Sequence, residues 1–112
     1  MNPVPISWDP KVNTHEGMEA DAQGMLFRKD VAPGAAWWGK GRSGDTTVEN
    51  AVLRFACPCG CGTIGAIPIV HWDPKGWTWD GNKELPTTKP SVLMLSVCQW
   101  HGYLTAGVWT PC

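Results

Sequence analysis

Residues 51–69 read AVLRFACPCGCGTIGAIPI, and the reading of this run decides the fold. On one side, TVENAVLRFA (47–56) alternates apolar and polar residues through Val48, Ala51 or Val52, Leu53 and Phe55. On the other, TIGAIPIV (63–70) carries Ile64, Ala66 or Ile67, and Ile69. Both patterns read as β-strands, and the CPCGC corner between them reads as the turn of a hairpin. Three cysteines alternating with Pro58 and Gly60 are poorly placed for disulfides, because bridging a pair one residue apart strains the required geometry. A metal is the better explanation, and the rest of the chain must then supply its other ligands.

A second corner does so. Cys98 and His101 form C-x-x-H in QWHG, between the strand-like runs SVLMLSVC (91–98) and GYLTAGVW (102–109). Paired Cys-rich corners on neighbouring hairpins build tetrahedral zinc sites, and thiolates favour zinc over harder metals. Two ligand sets satisfy the spacing. One is Cys57, Cys59, Cys61 and Cys98, with Gly60 allowing the tight fold and His101 left free. The other uses two of the three corner cysteines with Cys98 and His101. Either set is closed to water, so the zinc is structural. It staples a small core that needs such support.

Working outward, GMLFRK (24–29) reads as a short strand and WTWDGN (77–82) as a hairpin turn at Asp80-Gly81. Pro68 suits an edge strand or a bulge. APGAAWWGKGRSGD (32–45) reads as a Trp-bearing loop, and GKGRSG lacks the spacing of a phosphate loop. Residues 1–23 lack periodicity and read as an irregular arm wrapped on the domain through Ile6 and Trp8, with a weak helix signal at Glu16–Gly24. The expectation is one domain: an irregular arm and loop over 1–45, and a zinc-bound core over 46–112. The fold class is all-β, a small antiparallel sheet or sandwich stapled by one structural zinc.

The chain has 112 residues, 43% of them hydrophobic, with 13 Gly and 10 Pro, a composition for many turns and short elements. Nine basic and ten acidic residues without a basic block argue against a nucleic-acid partner. No apolar run reaches the ~20 residues of a membrane span, and the first residues lack a secretory pattern. Five cysteines without an export signal point to a reducing, cytoplasmic setting. Cys112 reads as an incidental thiol on a fraying end. Trp72, Trp77 and Trp79 read as packing; Trp37, Trp38, Trp100 and Trp109 read as packing too or, alternatively, as an exposed aromatic surface able to anchor a protein; His71 reads as a satisfied histidine.

CPCGCG, WTWDGN, PTTKPSV and the cysteine followed by HGYLTAGVW together resemble a family of small bacterial and phage proteins over about residues 50–110. One branch is the BubE-like peptidases of bacterial operons that resemble ubiquitin conjugation. Some phage members carry the label ammonia monooxygenase, which nothing in these residues supports. The resemblance implies a deubiquitinase-like serine peptidase acting on a ubiquitin-like protein or another protein substrate, with Ser91 as nucleophile and His101 as base. Thr88-Lys89 replace a common Leu-Ser pair, and Ala106 replaces an acid common before Gly107. If that acid oriented the base, this chain has lost it; Asp45, Asp73 and Asp80 remain as third members. Simple register counting opposes the pair: with a strand over 91–97, Ser91 lies nearer Trp109 and His101 at the Cys98 end. The alternative reading is a zinc module that binds protein through its tryptophans.

Overall fold

The computed structural model describes residues 2–14, 16–20, 22–43, 45–69, 75–95 and 98–112. His71, Trp72 and Asp73 lie outside the described residues. The described strands are β1 (Val4–Pro5), β2 (Ser7–Trp8), β3 (Glu19–Ala20), β4 (Leu26–Phe27), β5 (Ala35–Ser43), β6 (Thr46–Ala56), β7 (Ile64–Pro68), β8 (Thr78–Trp79), β9 (Thr88–Leu93), β10 (His101–Thr105) and β11 (Val108–Pro111).

Two sheets carry the architecture. One runs β1-β11-β10-β9-β8 and the other β2-β5-β6-β7, with β3-β4 as a separate ribbon. All pairings are antiparallel except β2 with β5. The two larger sheets face each other across one core. Leu53, Phe55 and Ile67 from one side meet Val92, Leu104 and Trp109 from the other. Phe55 and Trp109 lie with ring centroids 4.6 Å apart, and the Trp109 indole N–H donates to the Gly34 carbonyl at 3.1 Å. The predominantly β reading therefore holds.

Several local expectations need correction. Residues 35–43, expected as a loop, form β5, paired with β6 from Ala36–Phe55 to Ser43–Thr46. Its glycines and paired tryptophans hid a strand whose partner supplies most of the apolar pattern. In β6, Asn50 has φ 52, and the register shifts between Gly39 and Gly41 of β5. This bulge breaks the period of two, so Ala51, Val52 and Leu53 are buried in succession. GYLTAGVW is not one strand but the β10–β11 hairpin, turning at Ala106 and Gly107, whose φ values of 48 and 73 suit a type I′ turn. Alanine is a poor advertisement for such a turn, which is why the sequence hides it.

The first residues are irregular but tied down. Val4 pairs with Trp109, and Ile6 packs on the core. No α-helix forms over the described residues of 16–24; the described helical element is a single 3₁₀ turn at Pro10–Asn13, which Asp9 caps through the Lys11 N–H. Val12 from that turn joins Ala35, Ala56 and Ile64 in a second cluster, so the arm covers part of the outer face of the β5–β6–β7 sheet. Arg28 stitches it there: buried, it donates to the Lys11 carbonyl at 2.7 Å and to Thr14 Oγ1 at 3.0 Å, and it pairs with Asp30 at 3.1 Å. Pro68 sits on the edge strand β7, as expected, and its carbonyl accepts from the Trp77 backbone N–H. Among the described residues no helix is long and apolar enough to cross a membrane.

Candidate active site and metal centre

The CPCGC corner closes the β6–β7 hairpin. The Cys57 N–H donates to the Thr63 carbonyl at 2.7 Å, and the Gly60 N–H to the Cys57 carbonyl at 3.0 Å. Gly60 has φ 93, a backbone turn an L side chain resists, and it lets three sulfurs from five residues converge. Cys98 reaches them from the connection between β9 and β10. The four Sγ atoms all lie within 4.8 Å of one another. Cys57–Cys59 are 3.2 Å apart, Cys57–Cys98 3.5 Å and Cys61–Cys98 3.4 Å.

These spacings fit a metal. The edge of a tetrahedron with metal–sulfur bonds near ~2.3 Å is about 3.8 Å, so four sulfurs packed this closely are compatible with one ion. The Cys61 backbone N–H points to Cys59 Sγ at 3.4 Å, the kind of donor that stabilises a thiolate. Burial pushes the Cys57 thiol far up and Cys59 up to about 11, so without a cation these two thiols stay protonated at neutral pH. A soft cation reverses that preference by taking the place of the protons. Among the described residues, His101 is not part of the cluster.

His101 instead meets Ser91. Its Nε2 lies 2.9 Å from Ser91 Oγ. The register objection fails for two reasons. First, β9 ends at Leu93 and its pairing with the returning chain continues one step further, the Met94 N–H donating to the Trp100 carbonyl at 2.8 Å, so His101 pairs with Leu93 and not with a residue farther on. Second, Trp109 is on β11, which β10 separates from β9. Ser91 is thus the diagonal neighbour of His101 on one sheet face. Between the pairs Val92–Gly102 and Thr88–Leu104 the register shifts, so residues 89–91 bulge opposite Tyr103. Pro90, which has no N–H for the ladder, sits in that bulge, and such bulges re-aim side chains. Gly102 lets the strand pass: a Cβ there would fall 2.6 Å from the Trp100 ring and strike the Thr110 carbonyl.

For the Ser91 hydroxyl to donate to Nε2, the imidazole must hold its own proton on Nδ1. Among the described residues, Ser91 is the side chain that hydrogen-bonds His101. Asp80 is committed elsewhere, accepting from the Asn82 and Thr87 backbone N–H groups. Asp45 stands at the start of β6, in the other sheet, while Asp73 is outside the described residues. Ala106 ends β10 at the end opposite His101, about 16 Å away along an extended strand. An acid there favours the type I′ turn and cannot touch the imidazole, so its replacement by alanine bears on the hairpin alone.

The tryptophans divide between the two readings. Trp100 and Trp109 are buried, and Trp77 and Trp79 pack against the core. Trp8 and Trp37 are each 38% exposed, and Trp38 stacks between Trp8 (6.5 Å) and Trp79 (4.6 Å). Trp8 and Trp38 donate to the Glu84 and Lys83 carbonyls, which fixes their planes. A cleft of about 680 Å³ opens there, lined by Trp8, Trp37, Trp38, Arg54, Lys83 and Glu84. Sequence reading singled out Trp37 and Trp38 but not Trp8 or the 82–85 loop, where the signal was Asn82, whose side chain accepts from the Glu84 and Leu85 N–H groups. Cys112 does not fray: its N–H donates to the His101 carbonyl at 3.0 Å.

Fold and site together define a small two-sheet β protein with a four-thiol cluster that could hold a metal ion at one corner and a serine–histidine pair on the adjoining sheet face. The family model described as BubE, bacterial ubiquitination-like system serine protease, matches residues 27–112, and the chain belongs to this family. No curated protein and no solved structure matches the chain.

Proposed function

We propose that the protein is a zinc-stapled serine peptidase that cleaves the amide joining a bacterial ubiquitin-like protein to its target or to its own precursor tail. The observation that carries this reading is the 2.9 Å contact between Ser91 Oγ and His101 Nε2, in a chain of the BubE family. Ser91 Oγ attacks the amide carbonyl while His101 Nε2 takes its proton. The resulting oxyanion needs backbone donors; Pro90 has no N–H and Lys89 pairs with Thr78 of β8, which leaves the Ser91 N–H as the bulge's own candidate. Collapse of the intermediate breaks the C–N bond, and the imidazolium gives its proton to the leaving amine. Water then attacks the acyl-serine ester, passes its proton to His101, and releases the carboxylic acid and Ser91.

Cys57, Cys59, Cys61 and Cys98 hold the zinc in this reading. When bound, zinc supplies a cross-link between the β6–β7 corner and the connection that leads into His101. Four protein sulfurs fill a tetrahedral ion and leave no position for water, so the zinc is not the nucleophile's activator. The thiolates suit a reducing compartment such as the cytoplasm. The test is hydrolysis of a ubiquitin-like protein linked through its C-terminal carbonyl to a fluorescent amine. Wild-type protein should release the amine, and Ser91→Ala should not while melting at the same temperature. Equal release by both would remove Ser91 from the chemistry.

The cleft between Trp8 and Trp37 favours a second reading, a zinc module that binds protein without cleaving it. Here Ser91→Ala is silent, and Trp8→Ala or Trp37→Ala removes binding.

A further inference from the structure

The sheet face around Ser91 is apolar where a solvent face of an antiparallel sheet is ordinarily polar. From Ser91 the chain alternates: Val92 and Met94 are buried, while Leu93 is 53% and Leu95 66% exposed. On β10 the outward row is His101, Tyr103 and Thr105, with Tyr103 47% exposed. Leu93 stands directly opposite His101. Of the exposed large hydrophobics among the described residues, Trp8, Leu26, Trp37, Leu85, Leu93, Leu95 and Tyr103, two flank this serine, Leu93 along β9 and Tyr103 across on β10, and Leu95 continues the row beyond Leu93. A clustered patch of this kind marks an interaction site, whereas scattered ones do not.

We propose that Leu93, Leu95 and Tyr103 form a docking strip for an extended peptide whose alternate side chains, next to the cleaved amide, are bulky and apolar. The proposal rests on the peptidase reading for its occupant. A carbonyl within attacking distance of Ser91 Oγ, ~3–3.5 Å, brings the flanking substrate residues over Leu93 and Tyr103. Leu93 ends β9, the backbone pairing continues at Met94, and Leu95 follows exposed about 7 Å on, which is also the spacing of same-side residues in an extended peptide. A peptide lying along this row therefore sets one apolar side chain on each leucine. Tyr103 closes the strip on the β10 side, its ring giving area and its hydroxyl facing water.

The experiment separates docking from chemistry. Fluorescein-labelled ten-residue peptides, carrying either Leu or Asp at the two alternate positions beside the cleavable amide, are titrated against the full Ser91→Ala chain by anisotropy. The Leu peptide should bind at least about tenfold more tightly than the Asp peptide. In Leu93→Asp and Leu95→Asp, combined with Ser91→Ala and checked by thermal melts, that preference should vanish. Equal binding of the two peptides, or a preference that survives both leucine changes, overturns the strip. In parallel, unlabelled Ser91 protein is assayed for release of p-nitrophenol from p-nitrophenyl acetate, which is too small to use the strip. Ser91-dependent ester hydrolysis with no peptide preference sinks the docking proposal alone. A Leu preference without Ser91-dependent hydrolysis upholds the strip and sinks the peptidase reading.

Discussion

The thiol corner and the serine–histidine pair are joined by the short run from Cys98 to His101, yet they are built in opposite ways. The corner turns its donors toward one another: Cys57 is fully buried, Cys59, Cys61 and Cys98 are exposed, and the four sulfurs lie within 4.8 Å of one another. The pair turns outward: Ser91 is half-buried, His101 is exposed, and one hydrogen bond links them. A closed donor set can only hold; a pair with an open side can react. The difference teaches how a small domain with little core divides its work. The connection that carries Cys98 leads into β10, and His101 at the start of β10 meets Ser91 beside the register shift in β9.

The comparison can be broken at the corner first. Removing the metal with a strong chelator, or substituting Cys57→Ser, should unfold the chain, because structural zinc contributes on the order of 10 kcal/mol or more to such sites. Circular dichroism should report loss of the β signal, with activity lost in parallel. At the pair the expectation reverses. Ser91→Ala and His101→Ala should each lower amide hydrolysis by roughly 10²–10⁴-fold or more while shifting stability by no more than about 0.5 kcal/mol. A melt and a rate on the same sample check both halves.

Just past His101 on β10 stands Gly102, whose missing side chain admits Trp100. Gly102→Ala should cost about 1–3 kcal/mol through overpacking, read in urea titration, and should lower activity too by moving His101. The smallest effect belongs to the far end of β10. Ala106→Asp relieves alanine of φ 48 and should raise stability by up to about 1 kcal/mol in the same titration, with the hydrolysis rate unchanged. A rise in rate would mean that an acid at position 106 does reach His101.

Much of the β6–β7 hairpin was legible because Leu53, Phe55 and Ile67 repeat at strand period and three cysteines mark the turn. The thiol cluster was legible for the same reason: cysteine has few other uses at that spacing. What could not be read was pairing. Nothing local says that the chain turns after Leu93 or that Ala106-Gly107 is a hairpin, and both decide whether Ser91 meets His101. The Asn50 bulge likewise scrambles alternation in β6, and β5 shows itself only against its partner. Tryptophan burial followed neighbours that are distant in sequence: Trp109 packs on Phe55 with centroids 4.6 Å apart and bonds the Gly34 carbonyl, while Trp8 and Trp37 line an open cleft.

The division between holding and reacting is tested most directly by zinc-edge X-ray absorption on the purified, zinc-loaded protein. Four sulfurs at ~2.3 Å and no nitrogen ligand are expected, leaving both imidazole nitrogens of His101 outside the metal. Three sulfurs with one nitrogen at ~2.0 Å would put an imidazole on the zinc, and His101 could not then serve as the base for Ser91.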